Sequence, residues 1–245
     1  MGEGEETPVA YGGGLVQKLR PGHVAKVVAN ETRMVFAPVI IPRLALSKKS
    51  FLLWGHQTNY FLHKYNTTWR NERAIELSAV ERFLQENPHG SFMEFGNVLG
   101  HYSLGKPDVI VDLYEKGERV SNIDIVDYPV DKSFERIVSV STIEHVGWDE
   151  EPRSAQKVEQ ALSRLLALLA PGGKLFITAP TGHNPYLDDL VRHGLPNVIR
   201  QAFFVRNRFE WTQRDEFTAL PYGSLGPGAA SVWLAEIGSA TSSVG

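Results

Sequence analysis

Short apolar runs alternate along this chain with longer segments in which apolar residues recur every three or four positions. Phe92-Met93-Glu94-Phe95 is one such run, and it leads into a turn, Gly96-Asn97-Val98-Leu99-Gly100. Asp108-Val109-Ile110-Val111-Asp112 is a second and ends in an acid. Ser121-Asn122-Ile123-Asp124-Ile125 reads as the end of a third. Residues 134–140 form a fourth, apolar enough to be central in a sheet, and 174–179 a fifth. Ile75, Ala79, Val80, Phe83 and Leu84 fall on one helical face, as do Val158, Ala161, Leu162, Leu165, Leu166 and Leu169. Asn71 is placed to cap the first of these helices, which stops before Pro88 and Gly90. Asp149-Glu150-Glu151-Pro152 is expected to open the second, and Pro171-Gly172-Gly173 to stop it. Strands alternating with helices predict an α/β, doubly wound, mostly parallel sheet. Beyond it, 186–192 reads as a helix, and 202–205, 208–212 and 230–237 as strands. No long crossover helix joins these last strands, so antiparallel pairing is expected.

The first quarter of the chain follows another pattern. Residues 1–14 read as a flexible tail and 15–64 as a small β-rich extension. Pro38 and Pro42 break its apolar runs, Met34-Val35-Phe36-Ala37 and Val39-Ile40-Ile41, into edge strands or an irregular ribbon. The aromatic-rich stretch 50–62 is another strand candidate, completing a small hairpin on the main domain. That domain is expected over 65–237, with 238–245 a loose tail.

Composition narrows the function. The 245 residues are 42% hydrophobic and 22% charged, as in a globular chain with a proper core. A net charge of -3 argues against a nucleic-acid binder that works by bulk charge. The absence of cysteine removes disulfides, thiol nucleophiles and thiolate metal sites, and suits the cytoplasm. No apolar run approaches the roughly 20 residues of a membrane helix. The acidic, glycine-rich start is unlike a secretory signal. A small-molecule ligand is the partner left to expect.

A glycine turn after one strand and an acid at the end of the next is how open α/β sheets build nucleoside sites, the acid taking the ribose hydroxyls. The same pattern also fits an ordinary βαβ turn with chance acids. Other candidates carry two readings as well. Tyr65, Trp69 and Arg73 lie in a polar, aromatic approach to the first helix, as a wall over a substrate or as core anchors. His145 and His183 each follow a predicted central strand, as general bases or as packing and loop residues. Asn184 beside His183 is a candidate substrate contact. Asp149, Glu150 and Glu151 read as a solvated helix start without a histidine at ligand spacing, so no metal is expected.

In this order and spacing the motifs resemble the class I S-adenosylmethionine-dependent methyltransferases, over roughly 72–237. Glu94-Phe95-Gly96-Asn97-Val98-Leu99-Gly100 is similar to that family's acid-and-glycine motif, with Val98 where a middle glycine is usual. Phe134-Glu135-Arg136-Ile137-Val138 resembles its Phe-Asp strand, and Leu168-Leu169-Ala170-Pro171-Gly172-Gly173 its Pro-Gly-Gly turn. Glu144 to Glu150 and Gly182-His183-Asn184-Pro185 are similar to poorly characterised bacterial members. The resemblance implies S-adenosyl-L-methionine as cofactor and S-adenosyl-L-homocysteine as product. It puts Glu94, Gly96, Asn97, Gly100 and Ser141 at the cofactor, Asp112 on its ribose, and Asp124 with Ile125 at its adenine. It leaves a homodimer open. Aromatic faces, amides and an arginine then suit a polar acceptor, such as a hydroxyl of a sugar or glycosylated metabolite, with His145 or His183 as base.

Alternatives stay open. One is an N-methyltransferase acting by proximity alone, and another a methyltransferase fold kept only for binding. A third is a nicotinamide oxidoreductase: Tyr60 and Lys64 have its Tyr-x-x-x-Lys spacing, but they precede the glycine turn, which lacks pyrophosphate spacing.

Overall fold

The structure, a computed structural model, describes residues 40–239. The expected N-terminal tail, Met34-Val35-Phe36-Ala37 and the last residues of the chain lie outside the described residues. A helical segment, α1, covers 40–46. The ribbon expected around Ile40 and Ile41 is therefore helical. Pro42 lies within it.

The strand expected over 50–62 is a hairpin of two strands. β1 (Ser50–Leu53) and β2 (His56–Asn59) pair antiparallel, with Ser50 opposite Asn59. Trp54 (φ 49°) and Gly55 (φ 82°) make the turn between them, the left-handed pair that two-residue hairpins favour.

The main sheet is built as the apolar runs predict. β3 (Phe92–Phe95), β4 (Val109–Val111), β5 (Val120–Ser121), β6 (Phe134–Val140) and β7 (Leu169–Pro180) pair in parallel in the spatial order β5-β4-β3-β6-β7. β10 (Ser231–Gly238) then runs antiparallel to β7, β8 (Val198–Asn207) antiparallel to β10, and β9 (Glu210–Arg214) antiparallel to β8. This is the expected α/β, doubly wound, mostly parallel sheet with an antiparallel end.

Alternate strand residues face opposite layers. Met93, Ile137, Leu175, Ile177 and Trp233 pack with α3 (Ala155–Ala167) and α4 (Pro185–His193). Phe92, Val138, Phe176, Val232 and Leu234 pack with α2 (Arg73–Glu86) and the hairpin. The period of two along a strand produces both cores at once. Phe51 meets Phe204 edge-on at 5.6 Å and Trp54 meets Phe176 at 6.2 Å, so the hairpin shares the second core. Among the described residues no helix is long and apolar enough to cross a membrane.

Two helix boundaries differ from expectation. α3 starts later than the acidic run, with Ser154 as cap accepting from Lys157 N at 3.2 Å. It ends at Ala167, and β7 already begins at Leu169. Pro171-Gly172-Gly173 lies inside that strand, where the pairing with β6 slips between Phe134 and Arg136. The turn signal marks an irregularity in the strand, not the end of the helix.

Candidate active site

The carboxyl ends of β3, β4 and β6 come level in the sheet. Phe95 pairs with Val111 on one side and with Ser139 on the other. The residues that follow each strand therefore meet in one place, and a cavity of about 410 Å³ opens there. Open parallel sheets offer ligand sites at this edge because the crossovers leave in opposite directions.

Glu94 organises the turn after β3. Its Oε1 accepts from Val98 N at 2.7 Å and from Leu99 N at 2.8 Å. Glu94 is buried and supports the turn without lining the cavity itself. Burial pushes its carboxyl up to about 7, against the two backbone hydrogen bonds. Gly96, at φ +96°, is required: a Cβ there would lie 2.2 Å from Thr142 Oγ1. At Gly100 a Cβ would meet nothing within 4 Å, and Gly100 is outside the cavity wall. Val98 has φ −103° and ψ −45°, an ordinary conformation, so this turn needs no middle glycine. Asn97 lines the cavity and its Nδ2 donates to Glu115 at 3.0 Å.

Asp112 lines the cavity. Its Oδ1 accepts from Tyr114 N and Glu115 N at 2.9 and 2.7 Å, which fixes the carboxylate at the strand end. Asp124 and Ile125 stand beside it in the wall. Asp124 Oδ1 caps the short helical turn Ile125–Asp127 through Val126 N, and its Oδ2 is 2.6 Å from Lys157 Nζ. Ser141 lines the cavity at φ +42°, and its Oγ donates to Glu76 Oε1 at 2.6 Å.

Arg73 reaches the same wall from the start of α2. Its guanidinium pairs with Glu76, which is fully buried and also accepts from Thr178 Oγ1 at 2.8 Å. Burial alone would lower the guanidinium, but Glu76 and then Glu72 outweigh it and hold it above its ordinary value. Glu72 and Glu144 lie nearby, and burial raises both carboxyls, that of Glu144 strongly. Sequence reasoning missed Glu76. The available signal was an acid three residues after Arg73 on the apolar face of a helix.

The rest of the predicted acceptor wall divides. Tyr65 stacks on His101, with ring centres 4.6 Å apart. Trp69 is buried in the second core with Arg43 over its ring at 5.1 Å, and it does not line the cavity. Asn184 is buried and caps α4, accepting from Tyr186 N at 2.9 Å and donating to Glu144 O at 3.0 Å. Its polar atoms serve the fold, because an N-cap satisfies backbone N–H groups that the helix leaves open.

His145 and His183 do come together, with ring centres 5.1 Å apart. Asp149 joins them: its Oδ2 is 2.5 Å from His145 Nδ1, and its Oδ1 3.5 Å from His183 Nε2. Burial would raise the Asp149 carboxyl, but His145 and then His183 outweigh it and hold it below the usual range. The acidic run is largely exposed but precedes α3 without starting it. It does have histidines at ligand spacing, one four residues before Asp149 and one across the fold. Glu150 turns to Lys157. The Tyr222 ring closes over His183 at 5.6 Å and was not foreseen. Tyr60 is buried, its hydroxyl accepts from Trp211 N at 3.0 Å, and it does not line the cavity.

No protein-family model matches the chain, and no curated protein matches it in sequence. Solved structures do. One is an N-methyltransferase, NodS from Bradyrhizobium japonicum, in complex with S-adenosyl-L-homocysteine, at 12% identity, 69% of this chain, 89% of that one and a TM-score of 0.47. Another is a 1,6-didemethyltoxoflavin-N1-methyltransferase from Burkholderia thailandensis, at 14% identity, 73% of this chain, 83% of that one and 0.44. A third is magnesium protoporphyrin IX methyltransferase from Synechocystis, at 8% identity, 65% of this chain, 77% of that one and 0.39. At such distances neither the activity nor the acceptor of this chain follows from theirs.

Proposed function

We propose that the chain is a class I S-adenosylmethionine-dependent methyltransferase acting on a small polar acceptor. The observation that carries this is the charge of the cavity wall. Asp112, Glu115, Asp124, Asp149 and Glu150 line it, and Arg73 is the one Lys or Arg among the described lining residues. A dinucleotide's pyrophosphate needs cations or a fan of backbone N–H groups, and this wall opposes it with carboxylates of which only Asp124 and Glu150 are paired to a lysine, Lys157. S-adenosylmethionine carries a sulfonium and an ammonium against one carboxylate and has no phosphate, so its charges match this wall. When bound it supplies an electrophilic methyl group and becomes S-adenosylhomocysteine.

The residues have separate tasks. Asp112 accepts the ribose hydroxyls; Asp124 and Ile125 hold the adenine by its amine and its face. Arg73 takes the carboxylate, already held in place by Glu76. On the acceptor side, His145 lines the cavity, the His183 ring packs on it and the Tyr222 ring packs on His183. We assign them a hydroxyl acceptor of a sugar or a glycosylated or other natural-product metabolite, whose polar ring suits aromatic and imidazole faces. The oxygen forms a bond to the methyl carbon, the carbon–sulfur bond breaks with its electrons left on sulfur, and the hydroxyl proton leaves through the histidine pair. Positioning supplies much of the acceleration and proton removal the remainder.

Titrating the protein with S-adenosylhomocysteine and with NAD tests the cofactor. Saturable binding of the first alone is expected, and binding of NAD alone would overturn the reading. For the acceptor, His145→Ala and His183→Ala are assayed at saturating cofactor. Loss of turnover is expected; full turnover in both would favour N-methylation by proximity.

A further inference from the structure

His145, Asp149 and His183 come from separate loops, after β6 and after β7, yet one donor atom from each lies within 4.8 Å of the other two. Local structure accounts for part of this. Asp149 sits four residues after His145 and takes its Nδ1 at 2.5 Å. His183 is different. Its Nε2 is buried, and the acceptor facing it, Asp149 Oδ1 at 3.5 Å, makes no well-formed hydrogen bond with it. Leaving such a nitrogen unsatisfied is unfavourable, and a simple Asp149–His145 pair gives it no purpose. The site's charge is suited to a cation: a carboxylate next to two imidazoles, with Glu150 in the same cavity wall.

The distances fit one ion. Ligands about 2.0–2.2 Å from a tetrahedral ion stand roughly 3.4 Å from each other, and His183 Nε2 is 3.5 Å from Asp149 Oδ1. The shorter His145–Asp149 contact is a hydrogen bond that opens by about 1 Å when an ion replaces the proton. With His145 bound through Nδ1, its Nε2 is left facing Glu144 Oε1 at 3.6 Å, beyond hydrogen-bond length.

We propose that His145, Asp149 and His183 bind one divalent cation, with zinc the ion their donor set suits, leaving an outward position open to an oxygen of the acceptor. Two imidazoles and a carboxylate with an open position make a catalytic rather than a structural donor set. The role of the ion rests on the methyltransferase reading and replaces the histidine pair as the proton's route: a bound ion would lower the pKa of the acceptor hydroxyl, the two histidines would act as ligands in place of bases, and the proton would be released to water. The existence of the site does not depend on that reading.

The test uses the full chain without a histidine tag, treated with chelator and titrated with Zn²⁺ by calorimetry and with Co²⁺ by visible absorption. One equivalent is expected, with the cobalt bands of a low-coordinate nitrogen and oxygen site. Asp149→Asn and His183→Gln should each weaken binding at least roughly tenfold. His193→Ala, an exposed histidine on α4, should leave it unchanged. The two variants lie in different loops, so one that fails to fold leaves the other decisive. No saturable equivalent, or equal affinity in both folded variants, overturns the site. S-adenosylhomocysteine is titrated into the same samples. Its binding without a zinc equivalent overturns the metal alone, whereas a zinc equivalent without its binding upholds the site and overturns the methyltransferase reading.

Discussion

Gly96 and Thr142 press the turn after β3 against the end of β6: a Cβ on Gly96 would stand 2.2 Å from Thr142 Oγ1. The close approach carries the β3 turn past Thr142 into the cavity wall. Gly96 also has φ +96°, so an alanine there is strained as well as crowded. Gly96→Ala should cost about 1–3 kcal/mol of stability and at least roughly tenfold in S-adenosylhomocysteine affinity. Gly100→Ala should stay within about 0.5 kcal/mol of wild type. Chemical unfolding of both variants decides, and equal losses would show that the contact is not what makes the turn.

Asp112 and Asp124 differ in what else they do. Asp112 Oδ1 is occupied by two backbone N–H groups at the end of β4. Removing the carboxylate should cost a charge-assisted pair to the ribose, about 1.5–3 kcal/mol. Asp112→Ala should then bind S-adenosylhomocysteine at least roughly tenfold more weakly. Asp124→Asn should weaken it less, because Asp124 Oδ2 already faces Lys157. Calorimetry on folded variants that ranks the two the other way would reverse the assignment of ribose and adenine.

Glu94 makes stability depend on pH. Its folded pKa of about 7 lies above the ordinary 4.5, so the folded chain holds this proton more tightly. Its contribution is fully present below about 4.5 and is lost as the pH rises through about 7. The loss is up to about 3 kcal/mol, at roughly 1.4 kcal/mol per unit. Glu94→Gln keeps an acceptor for Val98 N and Leu99 N and should lose this share of the slope. Glu72 and Glu144, raised by burial in the same direction, keep theirs. Urea midpoints at pH 5 and 8 compare the two proteins, and identical slopes would place Glu94's pKa near its ordinary value.

Glu76 holds three partners at once: Arg73, Ser141 and Thr178. Glu76→Ala leaves the Arg73 guanidinium without its closest counter-charge and should cost about 3–5 kcal/mol. Glu76→Gln keeps acceptors for both hydroxyls and should cost less. Denaturant midpoints measure the difference, and a neutral Glu76→Ala would mean that Glu72 alone compensates Arg73.

Much of the fold was legible in the chain because it follows from neighbours in sequence. The apolar run at 134–140 is β6 residue for residue, and Ile75, Ala79, Val80 and Phe83 are the buried face of α2. Asp112 lines the cavity because it follows directly on β4 at the sheet edge. Asp124, read as the end of a strand, lies three residues beyond β5 and reaches the wall as the cap of the turn Ile125–Asp127. Other residues took their roles from groups distant in the sequence. Asn184 looked like a substrate contact and is an inward cap held by Glu144 and Val146 carbonyls. Asp149 looked like a helix start and sits between His145 and His183. Ile40 and Ile41 looked extended and are helical. Gly100 matched a motif whose glycine this turn does not require. Apolar period and strand-end position are local properties, set by the backbone within a few residues. Which polar groups meet is set by how layers 30 or more residues apart come together, and only the tertiary structure decides that.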